Sequence, residues 1–175
     1  MVVGIHRERA LMLPLRGDAD LIIDTSELSV RALRRRIAAY FQGDALADGP
    51  TTTVVSFGYK YGLPVDADIV LDVRFLPNPH WVDELRPLTG HDRAVREYVM
   101  AQDGTGEFLA RTRDLFGVWL PGFREEGRPY VTVAVGCTGG RHRSVVLAKE
   151  IAATISEKGF SVNVIYRDID RSSSH

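Results

Sequence analysis

The chain has 175 residues, of which 45% are apolar and 26% are charged, so it is long enough for one compact domain and an appendage. A net charge of -1 provides no overall attraction to nucleic acid, and a single cysteine excludes an internal disulfide. No apolar run approaches the roughly 18 residues of a membrane span, and the N-terminus lacks a signal-peptide pattern, so we expect a cytoplasmic protein.

Residues 1–43 show the pattern of a helix, a strand and a second helix. Residues 5–13 and 28–41 are helix-like, the latter with Ser29 as N-cap, and residues 21–24 form a short apolar run typical of a strand. Such a strand cannot bury both faces with so little around it. We therefore expect 1–43 to be the tail of a truncated α/β domain, and the chain to be part of a longer protein.

Turn-forming residues at 42–50 (QGDALADGP) separate this tail from the rest of the chain. Beyond them, short runs rich in β-branched residues predict four strands, at 52–57, 69–73, 130–135 and 161–166. Helical patterns lie between the strands, at 91–100, at 105–120 before Pro121-Gly122, and at 143–158 before Gly159. Strands that alternate with helices predict an α/β fold whose mainly parallel sheet is flanked by helices.

The most informative segment is residues 131–144 (VTVAVGCTGGRHRS), a buried strand followed by a glycine-rich basic turn and a helix. Glycines let the turn fold tightly and bring bare N–H groups to a ligand, and the helix N-terminus adds positive dipole. Arg141, His142 and Arg143 add formal charge. The pattern therefore predicts a phosphate-binding loop, although glycines in such a turn also serve packing alone.

In parallel sheets, ligands bind beyond the carboxyl ends of the strands, so the residues after each strand should converge on one crevice. Asp72 and Asn78 are suited to sugar hydroxyls or an amine, whereas Arg74, Arg143 or Lys60 are suited to phosphate oxygens. This chemistry predicts a phosphorylated sugar as ligand. Packing remains the alternative, since Asp72 could simply pair with Arg74 at the sheet edge. The histidine spacing predicts no metal site.

Cys137 also begins a Cys-x5-Arg-Ser pattern that ends at Arg143-Ser144. Cysteine phosphatases use this arrangement to hold phosphate on backbone amides and arginine while a thiolate attacks phosphorus. Cys137 and Arg143 are therefore alternative catalytic residues. The reaction would need a carboxylic acid for the leaving oxygen, for which the candidates are Asp72, Asp83 and Asp92.

Four longer motifs occur in order at residues 56–64 (SFGYKYGLP), 72–81 (DVRFLPNPHW), 85–90 (LRPLTG) and 136–144 (GCTGGRHRS). In them the chain resembles the RapZ/YvcJ family. Members of that family join an N-terminal P-loop domain that binds ATP or GTP to a C-terminal domain. In the family's RNase adapter, this C-terminal domain binds glucosamine-6-phosphate and a small regulatory RNA. The resemblance implies that residues 51–175 form the sugar-phosphate-binding or anion-binding domain, and that residues 1–43 are the tail of a truncated P-loop NTPase-like domain.

The motif G-x-x-x-x-G-K-[ST] does not occur in residues 1–175, so we expect no cofactor in this part of the protein and ATP or GTP only with the missing N-terminal domain. The resemblance implies a regulatory binding module and a homo-oligomer rather than an enzyme. RNA or a regulatory protein remains open as partner. The tail at 166–175 offsets two arginines with two aspartates, so RNA binding in the adapter's style is not expected.

The motif positions and the residues after the strands together define the predicted ligand-binding set. Its members are Asp72, Arg74, Asn78, His80, Cys137, Thr138, Gly139, Gly140, Arg141, His142 and Arg143.

Overall fold

A computed structural model describes residues 49–171 continuously and, before them, residues 12, 23–26, 28–30, 32, 33 and 37. The chain divides into two units, Met1–Phe41 and Gln42–His175. In the first unit, Ser29 Oγ accepts a hydrogen bond from the Ala32 N–H at 3.2 Å, which confirms the predicted N-cap. Ile23 and Asp24 have no regular secondary structure, and the rest of the strand predicted at 21–24 lies outside the described residues.

In the second unit, four parallel strands form one sheet in the order β2-β3-β1-β4. They are β1 (Thr51–Gly58), β2 (Ile69–Asp72), β3 (Tyr130–Cys137) and β4 (Val162–Tyr166). Three helices flank the sheet: α1 (Arg93–Met100), α2 (Thr105–Glu126) and α3 (Arg143–Glu157). The predicted α/β class is therefore confirmed.

The core lies between one face of the sheet and helix α3. Val54 of β1 and Val133 of β3 are fully buried, as are Leu147 and Ile151 of α3. Helix α3 connects β3 to β4, and a helix in such a crossover must cover the sheet with its apolar side. The loop between β3 and α3 is short, so the packing of α3 against the sheet fixes the position of this loop.

Helix α2 corrects one prediction, since it continues past Pro121 and ends only at Glu126. Gly127, with φ 75°, closes the helix in a left-handed conformation. The apolar spacing of Phe116 and Leu120 continues to Phe123, and all three contact the core. Packing of this stripe offsets the loss of one helical hydrogen bond at proline.

All four strands run in the same direction, so their carboxyl ends meet at one edge of the sheet. There Gly58 is in register with Cys137, and Asp72 with Gly136. Two 3₁₀ turns follow the strand ends, Tyr59–Tyr61 after β1 and Pro79–Trp81 after β2. In the described part of the chain, no helix is long and apolar enough to cross a membrane.

Candidate functional site

The loop between β3 and α3 is pressed against the end of β1. Gly140 has φ 74°, and a Cβ atom there would stand 2.6 Å from the Gly58 backbone nitrogen and 2.9 Å from Asp168 Cβ. A side chain at Gly58 would in turn meet the Gly139 carbonyl at 2.8 Å. The two glycines therefore serve a close backbone crossing, and Gly140 also supplies the left-handed turn.

The segment Leu85–Gly90 borders the loop on another side. Arg141 donates from Nη2 to the Pro87 carbonyl at 2.7 Å, and its own carbonyl accepts from the Gly90 N–H at 2.8 Å. His142, the N-cap residue of α3, is buried beside this segment. Burial is the main cause that lowers the pKa of His142, and the nearby Arg141 and His80 lower it further. The ring is therefore held neutral.

Arg143 is the most buried charge of the loop, at 3% exposure. Its Nη1 donates to the carbonyl oxygens of Arg74 at 3.0 Å and Leu76 at 2.7 Å, and its Nη2 donates to Thr138 Oγ1 at 3.2 Å. Burial lowers its pKa, while Cys137 and Asp72 raise it, and a guanidinium remains charged throughout. The buried Nε has no hydrogen-bond partner among the described residues.

A cavity of about 530 Å³ opens over this loop. Five lysine or arginine side chains line it, and no carboxylate does. The first turn of α3 also faces this end of the sheet with N–H groups that have no acceptor within the helix. The lining residues are Lys60, Asn78, His80, Trp81, Arg86, Pro87, Cys137, Thr138, Gly139, Arg141, His142, Arg143 and Arg171.

Most of the predicted ligand-binding set lines this cavity, together with Lys60, which was expected at the crevice. The members that line it are Asn78, His80, Cys137, Thr138, Gly139, Arg141, His142 and Arg143. Asp72, Arg74 and Gly140 do not. Arg74 Nη2 binds Asp72 Oδ2 at 2.6 Å, and the Arg74 guanidinium lies 3.8 Å from the centre of the Tyr59 ring. Asp72 and Arg74 therefore pair with each other at the sheet edge, as the packing alternative predicted.

Four lining residues were not predicted as ligand-binding: Trp81, Arg86, Pro87 and Arg171. Arg86 and Pro87 lie inside the LRPLTG motif, so the motif was a usable signal. Arg171 follows β4, in the tail whose two arginines are offset by two aspartates. No local pattern relates Arg171 to a loop thirty residues earlier.

Cys137 is buried at 3% exposure, and its Sγ accepts from the Gly140 N–H at 3.2 Å and lies 3.1 Å from Ser144 Oγ. None of the three carboxylates considered as acid lines the cavity. The hydrogen bond from Arg74 lowers the pKa of Asp72, and those from Thr89 lower the pKa of Asp92. Asp83 pairs with Arg86 at the surface. None of the three is therefore placed at the cavity to protonate a leaving oxygen.

Metal binding has no candidate ligand cluster in the described residues, where no group of three His, Cys, Asp or Glu side chains is suitably placed.

The chain matches the models of two domains that belong to one protein family. Residues 50–170 match the family model of the RapZ C-terminal domain, and residues 1–45 match that of the RapZ-like N-terminal domain. The chain belongs to the RapZ family. The cavity described above thus lies within the part that matches the RapZ C-terminal domain.

Similar proteins of the RapZ family are named nucleotide-binding proteins. One from Thermobifida fusca is 52% identical over 168 residues, covering 96% of this chain and 57% of the relative. One from Frankia alni is 54% identical, and the match covers 98% of this chain and 59% of the relative. One from Mycobacterium marinum is 55% identical, and the match covers 96% of this chain and 55% of the relative. The chain spans a little over half the length of the curated relatives it matches.

Proposed function

We propose that this RapZ-family chain is a regulatory binding module for a phosphorylated amino sugar of the glucosamine-6-phosphate class. The observation that carries the proposal is Arg143, a buried guanidinium beside the cavity whose Nε has no partner among the described residues. A buried charge of this kind is costly unless an opposite charge meets it. A phosphate oxygen meets that requirement.

The remaining lining supports the same ligand class. Lys60, Arg86 and Arg141 add positive charge, and Asn78 and Thr138 offer groups that hydrogen-bond hydroxyls. A volume of about 530 Å³ is within the range of small-ligand sites. Asp72 is the predicted partner for a ligand amine; it is paired with Arg74 and does not line the cavity, so it would have to leave Arg74 to reach the ligand.

Two further proposals concern the partner that responds to the ligand and the binding of a nucleotide. We propose that occupancy of the cavity is relayed to an RNA or protein partner, in a homo-oligomer. The relatives' name points to nucleotide binding by the whole protein. Because residues 1–175 contain no P-loop motif, we propose that ATP or GTP binding depends on sequence outside them. The cysteine phosphatase alternative gains no support from the site, because no carboxylate lines the cavity.

Calorimetry tests the ligand class. We expect glucosamine-6-phosphate to bind, glucose-6-phosphate and inorganic phosphate to bind more weakly, and glucosamine without phosphate not to bind measurably. Arg143→Lys retains the charge but loses the planar fork, so affinity should fall by about tenfold. Arg113→Lys is the matched control, since Arg113 pairs with Glu157 on the surface and is absent from the cavity lining. A folded parent protein that binds none of the phosphates would contradict the proposal.

A further inference from the structure

Asp168 is a fully buried carboxylate just after β4. Its Oδ2 accepts from the Gly58 N–H at 2.8 Å and pairs with Arg167 Nη2 at 2.7 Å. Its Oδ1 lies 3.1 Å from Arg171 Nε. The carboxylate thus connects the end of β1 with two arginines of the segment Arg167–Arg171, which we call the C-terminal segment. Because the carboxylate is buried, removing one of its partners would be costly.

The segment Arg167–Arg171 is anchored to the strand ends by its backbone as well. The Arg167 N–H donates to the Ser56 carbonyl at 3.0 Å, and the Arg171 N–H donates to the Asp168 carbonyl at 3.2 Å. Arg167 Nη2 also donates to the Gly62 carbonyl at 2.7 Å. The segment is therefore built onto β1 and the turn that follows it.

Arg171 is the member of this segment that reaches the cavity. Its side chain is 54% exposed, and the guanidinium lies 4.8 Å from the centre of the Tyr61 ring. Asp168 Oδ1 approaches the guanidinium of Arg171 at Nε. Arginine has five N–H donors in a fixed fork, so its Nη groups remain able to meet an anion in the cavity.

We infer that Arg171 is a ligand-binding residue of the phosphate cavity and that Asp168 is its positioning residue. The inference rests on the proposed function, because an anionic ligand is what Arg171 would bind. The C-terminal segment then completes the cavity, and ligand binding stabilises the position of that segment. Occupancy is thereby coupled to the Arg167–Arg171 segment through the ion pair of Asp168 with Arg171.

The test is calorimetric titration of the 175-residue chain with glucosamine-6-phosphate, at constant ionic strength. Arg171→Ala should weaken binding by about tenfold, and Arg171→Lys should recover part of that loss. Asp168→Asn keeps an acceptor for the Gly58 N–H but loses the negative charge, and should weaken binding by roughly threefold to tenfold. The double variant should bind no more weakly than Arg171→Ala alone, because Asp168 acts through Arg171.

Asp170→Asn is the matched control, with the same charge change at an exposed position of the same segment, and its affinity should equal that of the parent. If the parent binds and Arg171→Ala binds equally well, the inference is overturned while the proposed function stands. Additive losses in the double variant would also overturn it, by showing that Asp168 acts on the fold rather than through Arg171. If the parent binds neither glucosamine-6-phosphate nor inorganic phosphate, both proposals fall. Arg171→Ala is decisive even if Asp168→Asn does not fold.

Discussion

His142 Nε2 lies 2.8 Å from the carbonyl oxygen of Leu88, and this contact joins the start of α3 to the Leu85–Gly90 segment. A carbonyl oxygen only accepts, so the neutral ring carries its proton on Nε2. Arg141 Nε donates to the same oxygen at 3.1 Å. One carbonyl thus orients two side chains of the loop at the cavity wall.

The burial of His142 predicts a pH dependence of stability, although the hydrogen bond to Leu88 opposes the shift. Burial lowers the pKa of His142 in the folded protein below its usual value of 6.5, so the unfolded chain takes up the proton first as pH falls. The stability associated with the neutral ring is fully present above about pH 6.5 and is lost as the pH falls through the folded pKa. Urea unfolding between about pH 5 and 7.5 should show this loss.

The variant His142→Gln keeps a donor for the Leu88 carbonyl but does not titrate, so its stability should change less over the same pH range. His91, which is exposed, is the matched control, and His91→Gln should retain the slope of the parent. Equal slopes for the parent and His142→Gln would show that another group causes the pH dependence.

Gly140 should tolerate no side chain. Gly140→Ala forces a Cβ into a left-handed conformation and against Gly58, and should lower the free energy of unfolding by at least about 2 kcal/mol. Gly106→Ala is the comparison, because nothing lies within 4 Å of a Cβ there and the site is helical. It should raise stability by up to about 1 kcal/mol. If the two variants are equally stable in urea unfolding, the close backbone contact between Gly140 and Gly58 is disproved.

Trp81 should report ligand binding by fluorescence. The chain has two tryptophans, and Trp81 is 77% exposed and lines the cavity, whereas Trp119 packs against Phe116. A ligand in the cavity would displace water from the Trp81 indole and change its emission. Saturating glucosamine-6-phosphate should therefore change the emission of the parent and of Trp119→Phe, but not that of Trp81→Phe. A signal that persists in Trp81→Phe would place the ligand elsewhere.

Cys137→Ser separates binding from catalysis. We expect the parent to release no phosphate from glucosamine-6-phosphate or an aryl phosphate. The serine variant should bind the sugar phosphate within about tenfold of the parent, a difference of 1.4 kcal/mol. A steady release of phosphate by the parent that this substitution abolishes would favour the enzyme, since a thiolate attacks where a hydroxyl does not.

Local sequence was sufficient for most elements of the second unit. Apolar runs predicted all four strands, and helical periodicity predicted α1 and α3 to within a few residues. The end of α2 was wrong because proline is a local signal, whereas the contact of Phe123 with the core is a tertiary one. Local rules misplace a helix end when packing outweighs the intrinsic cost of proline.

The sequence by itself determined the strand–turn–helix conformation around the β3–α3 loop, because a buried strand, a glycine-rich turn and a helix start are adjacent in the chain and their conformations are local. Tertiary structure decided which side chains share the cavity with that loop. Arg86 and Arg171 enter it from segments distant in sequence, while Asp72 is held by Arg74 outside the lining. Such choices depend on side-chain directions and competing ion pairs across the sheet edge, and no periodicity encodes them.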